Sequence, residues 1–382
     1  MASNNSRGQK MRQLAQKFGL VHTCQDDEDL QSIRVENCIG FCKVPVGIAG
    51  PLHITGPGVD RMLHAPLATC EATLIASSSR GCKVFNNSGG IHFEVFGDGM
   101  SRGPVFIFKD PSHAVAFYKA VPTFRAQFTE WANSTSRFAR LQEIQASVIG
   151  SNVHILCTYS CGDAVGQNMV TKATAYACQM MLKTYTEKFH FKDFIVEGQL
   201  ASDKKPSWGN IKNPRGVQVL AWGTITPSSC QAIFGCSTER LYEIQMVGQE
   251  GAVRSGHFGA NINTANMLAA MFISTGQDAG SVAEASWSQL TSELDRETGN
   301  LTMSLFFPSL PVGTIGGGTG YPTQREALGM LGCAEPNRKH ELAGIIAAFA
   351  LALDASTSAA IVTNTFADAH MRLARGGNQG KL

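Results

Sequence analysis

Residues 341–361 read ELAGIIAAFALALDASTSAAI, and this apolar stretch decides the fold class. About a dozen apolar residues follow one another before Asp354 interrupts them, and Ser356, Thr357 and Ser358 come next. A membrane-spanning helix needs roughly twenty predominantly apolar residues, so this run is too short and too polar to span a bilayer. The stretch therefore predicts a long helix that is buried at the centre of a folded protein.

Outward from that helix, the chain alternates further helices and strands without an internal repeat. Residues 67–85 are rich in Ala, Ser, Leu and Ile and end at a glycine turn, which predicts a helix that carries Glu71 and Arg80. A second group of elements indicates an inserted α/β module over about residues 103–195. Strand-like runs lie at 91–96, before this module, and at 104–108, 146–149 and 152–159 within it, together with a helical run at 169–188. Downstream runs predict a strand at 217–224 and helices near 265–275 and 327–331.

Composition limits the classes of function. Of 382 residues only 16% are charged, 43% are hydrophobic and 39 are glycine, which is typical of a tightly packed interior with buried subunit contacts. The net charge of +2 is spread without a basic block, so we expect no nucleic-acid partner. The eleven cysteines contain no C-x-x-C pair and indicate packed, reduced thiols, and we predict no metal site. The polar start carries no signal segment, so we expect a cytoplasmic protein without a membrane segment in this chain, or one at the endoplasmic reticulum membrane if the native chain carries an anchor.

The glycine-rich run Gly313–Gly320 is a candidate phosphate-binding segment, because glycine lets backbone N–H groups approach an anion closely. It does not complete the G-x-G-x-x-G spacing of a standard dinucleotide fold, and a tight strand-to-helix turn is the simpler interpretation. Four ionisable islands also lie in apolar or glycine-rich surroundings, namely Glu71, 202–206, 276–278 and 368–371. Taken singly, each is a weak signal: a histidine near a terminus is ordinarily a solvated surface residue, and Lys204-Lys205 before a proline is ordinarily an exposed turn.

Nine segments of the chain keep the order and spacing of one family's motifs. The motifs include E-N-x-I-G with V-G-x-A-G-P-L, a glutamate followed by R-G-C, R-G-P, S-R-F, D-K-K-P, G-Q-D and a terminal H-M. The nine segments lie at 36–52, 71–82, 102–104, 136–138, 163–169, 203–206, 276–278, 308–319 and 370–371. In these segments the chain resembles the catalytic portion of hydroxymethylglutaryl-coenzyme A (HMG-CoA) reductase of class I, the eukaryotic type. The resemblance covers nearly the whole chain.

The resemblance implies an α+β fold. A large helical and β domain would surround a long central helix, and a small ferredoxin-like α/β domain would be inserted and hold NADP without a Rossmann motif. On this basis the chain divides into an N-terminal helical segment (1–35), a large domain for substrate and coenzyme A (36–102 and 196–374), the small NADP-binding domain (103–195) and a flexible C-terminal tail (375–382). The family also forms homodimers and homotetramers whose active sites are shared between subunits.

The reaction implied is a four-electron reduction of (S)-HMG-CoA to mevalonate and coenzyme A by two molecules of NADPH, through mevaldyl-CoA and mevaldehyde. Lys204 would supply a fixed cation for the developing alkoxide. His370 would protonate the departing thiolate, because imidazole titrates near neutral pH, and its glycine-rich tail would act as a flap. Glu71 would protonate the aldehyde oxygen, and the like charge of Asp278 would favour its protonated form while Asp278 steadies Lys204.

Further site residues follow from the resemblance alone. The substrate-side positions are Arg102, Asp203, Lys205 and Asn266, with Ser77 and Arg80 near coenzyme A. The NADP contacts are Ser136, Arg137, Phe138, Asp163, Gly166, Asn168, Met169, Gly316 and Gly317. Arg137 would favour the 2′-phosphate of NADPH over NADH. Ser77 and Asn168 have an equally simple interpretation as packing or capping residues.

Several substitutions depart from the family pattern. Glu197 stands where the family has a serine that hydrogen-bonds the acyl carboxylate, and two carboxylates about 4 Å apart repel by roughly 4 kcal/mol at an effective dielectric constant near 20. The family's substrate lysine is missing around Met246, and a family histidine has become Asn263. The regulatory serine has become Gly376, so we expect no control by phosphorylation there.

These departures cluster on recognition of the acyl carboxylate and predict a divergent family member. The leading interpretation is an NADPH-dependent HMG-CoA reductase. One alternative is a reductase of a different acyl-CoA thioester, one that lacks the distal carboxylate or bears a cation that Glu197 binds. Another is a catalytically dead relative that binds coenzyme A esters, although the intact Glu71, Lys204, Asp278 and His370 argue against it.

Overall fold

The computed structural model describes residues 13, 15, 17–23 and 33–364. Most of the expected N-terminal helical segment (1–35), the expected C-terminal tail (375–382) and the candidate His370 lie outside the described residues. Two hydrophobic cores are formed, one by residues 49–95 together with 217–359 and one by residues 100–189.

Strands and helices alternate along the described chain. The strands are β1 (Val46–Gly56), β2 (Val59–Ala68), β3 (Ile91–Arg102), β4 (Val105–Ile107), β5 (Arg140–Ile149), β6 (Asn152–Ser160), β7 (Asp193–Ile195), β8 (Gly216–Ile225), β9 (Gln289–Leu294) and β10 (Leu301–Leu310). The α-helices are α1 (Leu74–Asn86), α2 (Pro111–Ser134), α3 (Gln167–Phe189), α4 (Trp208–Lys212), α5 (Thr238–Ser255), α6 (Thr264–Thr275), α7 (Val282–Ala285), α8 (Pro322–Met330) and α9 (Lys339–Val362). A short turn at Pro227–Ser229 continues into a π-helical turn at Cys230–Phe234.

Helix α9 is the long helix that the apolar stretch predicts, and it lies in the larger core. By length and composition it could cross a membrane, but 89% of its apolar window is buried inside the protein. It packs on α1, α6 and strands β8 and β10. Helix α1 crosses it so closely that a Cβ at Gly81 would lie 1.8 Å from the carbonyl oxygen of Ala352, so this crossing requires glycine. The prediction of a buried central helix is confirmed.

Strand β3 connects the two parts of the molecule. Residues 92–99 pair antiparallel with β8, and the larger sheet continues through β10 to β9. The last residues of β3, Met100–Arg102, pair instead with β6 of the second sheet. The hairpin of β1 and β2 joins the larger sheet through a parallel contact between β1 and the start of β3. Arg102, at the end of β3, therefore lies where the two parts meet.

The second core belongs to a βαββαβ unit formed by β4, α2, β5, β6, α3 and β7. Its sheet has the strand order β7-β4-β6-β5 with antiparallel pairing throughout, and α2 and α3 pack together against it. Phe117 stands at the centre of an aromatic cluster with Phe106 and Phe124, with ring centroids 5.0 and 5.1 Å away. This is the ferredoxin-like arrangement, so the predicted fold class is confirmed.

The helix predicted over 67–85 begins later than expected. Leu67 and Ala68 belong to β2 and pair with β1, and α1 starts only at Leu74. The four residues Ala65–Ala68 are all buried, so β2 ends in an apolar run without alternation, which periodicity cannot distinguish from a helix. Glu71 consequently lies in the turn before α1, where its N–H donates to Thr69 Oγ1 at 3.0 Å.

Candidate active site

Lys204 lies on a short segment, residues 199–205, that we call the lysine loop. Gln199, Ser202 and Lys204 adopt positive φ angles of 71°, 50° and 59°. Such conformations are costly for residues other than glycine and concentrate at functional sites, where the surrounding structure holds them. Buried Asn210 fastens the lysine loop, because its Nδ2 donates to the carbonyl oxygens of Ser202 at 3.2 Å and Lys205 at 3.0 Å.

Lys204 forms an ion pair with Asp278. Nζ of Lys204 lies 2.7 Å from Oδ2 of Asp278, whose Oδ1 accepts the N–H of Gly280 at 3.0 Å. The hydrogen bond to Asp278 raises the pKa of Lys204, so the ammonium group stays charged at neutral pH. The two side chains are 47% and 49% exposed. Lys204 is therefore an accessible ammonium group held in place by Asp278, and a reaction that builds negative charge on oxygen requires such a cation.

Arg215 supports the lysine loop from inside the protein, although no motif in the sequence marks it as a site residue. It is 1% exposed. Its Nη2 lies 2.7 Å from Asp203 Oδ1 and donates to Gln167 Oε1 at 2.9 Å, and its Nε lies 2.8 Å from Glu284 Oε2. Its Nη1 donates to the carbonyl oxygen of Ser101 at 3.0 Å. This guanidinium thus ties the lysine loop to β3, α3 and α7. Burial raises the pKa of the Glu284 carboxyl, although Arg215 opposes the shift.

Glu197, the substitution for the family's serine, pairs with Arg102. Glu197 Oε2 lies 3.3 Å from Arg102 Nη1 and accepts the N–H of Gly103 at 3.0 Å. The same Nη1 lies 3.7 Å from Asp203 Oδ2. Lys205, in contrast, is exposed, and its Nζ donates to the carbonyl oxygen of Asp203 at 3.1 Å. The arginine expected to bind substrate is therefore already engaged by two carboxylates of its own chain.

Glu71 lies at the opposite end of α6 from Asp278. Its Oε2 accepts a hydrogen bond from Asn266 Nδ2 at 2.8 Å, and its Oε1 accepts one from Thr73 Oγ1 at 3.2 Å. Asn266 stands in the first turn of α6, whereas Asp278 follows the last turn. About ten helical residues separate the two levels, which corresponds to roughly 15 Å. Lys204 with Asp278 and Glu71 with Asn266 therefore form two separate clusters in one chain, which we call the two half-sites.

Asp354 of α9 holds the N-terminus of α6. It is fully buried and accepts the N–H groups of Ile262 at 3.2 Å and Asn263 at 2.7 Å and the hydroxyl of Thr264 at 3.4 Å. Asn263, which replaces the family's histidine, donates through Nδ2 to Thr357 Oγ1 at 2.8 Å. Among the described residues no cationic side chain lies within 4.0 Å of Asp354, and burial raises the pKa of Asp354 to about 6. Asp354 thus positions the helix that presents Asn266 to Glu71.

The raised pKa of Asp354 predicts a defined pH dependence of stability. The folded protein retains a proton on Asp354 up to about pH 6, whereas the unfolded chain loses it near the ordinary aspartate pKa of 3.8. Stability should therefore fall as pH rises from about 4 to about 6, by roughly 3 kcal/mol for a shift of this size. Urea midpoints measured between these pH values should fall for the wild type relative to Asp354→Asn. Parallel pH profiles for the two proteins would contradict the prediction.

Ser77 and Arg80, predicted near coenzyme A, link α1 to α9. Arg80 Nε donates to Ser356 Oγ at 2.9 Å, and its Nη2 donates to the carbonyl oxygen of Ser356 at 2.6 Å. Ser77 Oγ lies 3.1 Å from Ser356 Oγ. The Arg80 guanidinium also stands over the ring of Phe234, 5.8 Å from its centroid. These contacts give both residues a packing role in addition to the predicted binding role.

Several of the predicted NADP residues gather at the N-terminus of α3. Gly166 caps this helix with a φ of 90°, and a Cβ there would lie 2.2 Å from Cys161 Sγ, so the position requires glycine. Asn168 and Met169 follow in the first turn, whose N–H groups and dipole favour an anion. Ser136 Oγ contacts Met169 Sδ at 3.8 Å. The segment that carries Ser136 therefore reaches this helix end.

The glycine-rich run reaches the same place. Thr314 N–H donates to the carbonyl oxygen of Asp163 at 2.8 Å, and a Cβ at Gly313 would lie 2.9 Å from that oxygen. Gly316 and Gly317 follow with φ angles of 88° and 59°. The run that the sequence left open between a turn and a phosphate-binding segment thus lies beside the residues leading into the N-terminus of α3.

Arg137 and Phe138 present an exposed cation and an exposed ring in the same region of the small unit. The guanidinium of Arg137 lies 5.7 Å from the ring centroid of Phe138, which is 60% exposed. Asp163, by contrast, uses Oδ2 to accept the N–H of Asn337 at 2.7 Å. A helix N-terminus, close-approach glycines and an exposed arginine are a donor set that fits a phosphorylated dinucleotide such as NADPH.

A family model described as hydroxymethylglutaryl-coenzyme A reductase matches residues 5–375 of the chain. The chain belongs to the HMG-CoA reductase family. The 3-hydroxy-3-methylglutaryl-coenzyme A reductase of Methanocaldococcus jannaschii is 33% identical over 360 residues, which cover 93% of this chain and 88% of that protein. The reductase of Aeropyrum pernix is 35% identical, and the matched residues cover 94% of this chain and 86% of that protein. Reductase 1 of Candida albicans is 35% identical over 88% of this chain but only 32% of its own length.

The fold of this HMG-CoA reductase family member also matches solved structures. A class II reductase from Streptococcus pneumoniae, bound to NADPH in open conformations, aligns with a TM-score of 0.70 at 19% identity and covers 92% of both chains. At this identity the likeness concerns the fold alone. It agrees with the mixed α/β architecture described above.

Proposed function

We propose that this chain reduces (S)-HMG-CoA to mevalonate and coenzyme A with two molecules of NADPH, using the two half-sites as its acid–base and electrostatic apparatus. The reaction is that of the family to which the chain belongs. The observation that carries the assignment of residues is the ion pair of Lys204 and Asp278 on a loop with three left-handed residues. NADPH supplies a hydride to the substrate carbon in each of the two reductions.

The residues of the chain divide the remaining work. Lys204 faces the carbonyl oxygen and stabilises its negative charge as the thioester becomes a hemithioacetal and later as the aldehyde becomes an alkoxide. His370 gives a proton to the thiolate of coenzyme A when the hemithioacetal collapses to the aldehyde. Glu71, held by Asn266 at 2.8 Å, gives a proton to the alkoxide of the second reduction.

A second copy of the chain completes the active site in this proposal. Roughly 15 Å of α6 separate the Glu71 half-site from the Lys204 half-site, which is too far for both to touch one carbonyl group. In a homodimer with two-fold symmetry, each of the two active sites pairs the Lys204 half-site of one protomer with the Glu71 half-site of its partner. Only 16% of the residues are charged, and this low fraction agrees with buried contacts between subunits.

Two finer assignments belong to the same proposal. We place the chain in class I, because its motifs resemble those of the eukaryotic type and it is 35% identical to fungal and plant reductases. We also place the folded part in the cytoplasm. In support, the ten cysteines of the described residues are all free of disulfides, as expected in a reducing compartment.

The test is a direct assay of purified protein. With HMG-CoA we expect two molecules of NADPH to be oxidised for each mevalonate formed. The absorbance at 340 nm measures the loss of NADPH, and chromatography measures the mevalonate. A change of cofactor to NADH should lower kcat/KM, because Arg137 lacks a 2′-phosphate to bind. Binding of NADPH without its oxidation, under saturating HMG-CoA, would contradict the proposal and favour a reductase of another thioester or an inactive relative.

A further inference from the structure

The cations around the lysine loop are almost completely neutralised by carboxylates of the same chain. Arg102 faces Glu197 at 3.3 Å and Asp203 at 3.7 Å. Lys204 and Arg215 have their own carboxylate partners at 2.7 Å, as described above. Within the described part of the chain, Lys205 has no carboxylate oxygen within 4.0 Å, and it lies at the surface. The surroundings of Lys204 therefore offer an acyl group little net positive charge.

The chemistry of HMG-CoA places its free carboxylate close to this cluster. Its acyl group has five carbons in the main chain, so the thioester carbon and the carboxylate carbon are at most about 5 Å apart. Asp203 lies 3.7 Å from Arg102 Nη1 and directly precedes Lys204 in the chain, so with the thioester at Lys204 we expect the distal carboxylate near Lys205 and Arg102. Arg215 is enclosed at 1% exposure and is not available.

Glu197 changes what Arg102 offers such a carboxylate. The two side chains are only 9% and 18% exposed, so water screens their interaction weakly. A substrate carboxylate gains less from an arginine that is already neutralised, and it is repelled by the anion beside it. Buried Nε of Arg102 and Oε1 of Glu197 also have no hydrogen-bond partner among the described residues.

We infer that Glu197 is a specificity-determining residue that removes the preference for a distal carboxylate and admits acyl-CoA thioesters whose distal end is uncharged. The inference rests on the proposed function for the thioester chemistry at Lys204, but it concerns recognition of the acyl group and not the reduction. Arg102 lies beside Glu197 in this ion pair, so removal of the Glu197 charge makes the Arg102 guanidinium available to bind a carboxylate.

The experiment compares two thioesters that differ only at the distal end, HMG-CoA and 3-hydroxy-3-methylbutyryl-CoA. For the wild type we expect kcat/KM values within about tenfold of each other, because the charged end gains little. Glu197→Gln removes the charge at constant size, and its amide oxygen still accepts the Gly103 N–H. Glu197→Ser also removes bulk. Both variants should raise the ratio of kcat/KM for HMG-CoA over the neutral thioester by about tenfold or more, through KM.

Glu187→Gln makes the same chemical change at an exposed position of α3 and should leave the ratio unchanged. An unchanged ratio in both Glu197 variants would overturn the inference, as would an equal gain for the two thioesters. Dissociation constants measured by calorimetry should show the same shift in ratio without any turnover. If neither thioester is reduced by any protein, the proposed function fails, and the ratio of dissociation constants still decides the role of Glu197.

Discussion

Lys204→Ala is expected to lower kcat with HMG-CoA by at least about 10³-fold. The reason is that both reductions build negative charge on oxygen, and Lys204 supplies the fixed cation beside it, with its ammonium held at 2.7 Å from Asp278. Binding of NADPH should be unchanged, because the dinucleotide contacts predicted for the chain lie on α3, the glycine-rich run and residues 136–138. Steady-state kinetics and a fluorescence titration of NADPH measure the two effects.

Lys212→Ala is the matched control for this prediction. Lys212 is an exposed lysine at the end of α4, eight residues beyond Lys204, and it has no carboxylate partner within 4.0 Å in the described chain. Its replacement should leave kcat within about twofold, as for most surface substitutions. Retention of turnover in Lys204→Ala would assign the cation to another group, with Lys205 the first candidate.

A mixed dimer of two inactive variants tests whether each active site takes its residues from both chains. Protomers with Lys204→Ala and protomers with Glu71→Gln, carrying different tags, can be coexpressed and purified as mixed dimers. If each site takes Lys204 from one chain and Glu71 from the other, one of the two sites is intact and the dimer keeps about half of the wild-type activity. If each chain builds its own site, every site carries a defect and the mixed dimer is as inactive as the parents.

The parts of the fold that could be predicted are those with a strong local pattern. The apolar stretch that became α9 and the alternation of strands and helices near 103–195 both gave the correct element types. Helix α2 (Pro111–Ser134) was not predicted, because Pro122 interrupts its pattern, although the apolar positions Phe117, Val121, Phe124 and Phe128 carry the helical period around it. The strand β2 was mistaken for the start of a helix, because its last residues are buried on both faces.

The candidate site divides in the same way. The motif positions Lys204 and Asp278 lie 74 residues apart in sequence and form a contact. The supporting residues could not be predicted, because a lone arginine or aspartate carries no pattern. In the sequence, Asp354 only interrupts an apolar helix, and its role follows from its contact with the N-terminus of α6 in the folded chain. The separation of Glu71 from Lys204 depends on the direction of α6, which no local motif encodes.

Arg215→Met is expected to cause the largest loss of stability. The substitution keeps most of the side-chain volume but removes the guanidinium partner of Glu284 and the nearer of the two arginines that face Asp203, and both bonds to Arg215 are shorter than 3 Å. Breaking a buried ion pair on one side costs about 3–5 kcal/mol, because the remaining carboxylate is buried without compensation. Denaturant midpoints at fixed protein concentration measure the loss. Turnover should fall as well, because Asp203 no longer fixes the lysine loop.

Arg240→Met on α5 is the control for a surface pair. Arg240 Nη1 lies 3.1 Å from Glu243 Oε2, but both side chains are more than half exposed, so its loss should cost less than about 1 kcal/mol. Adding Glu284→Gln to Arg215→Met should restore part of the stability, because it removes the buried charge that has lost its partner. If Arg215→Met shifts the midpoint no more than Arg240→Met, the buried cluster does not hold the lysine loop, and the strain at Ser202 and Lys204 must be supported by Asn210 alone.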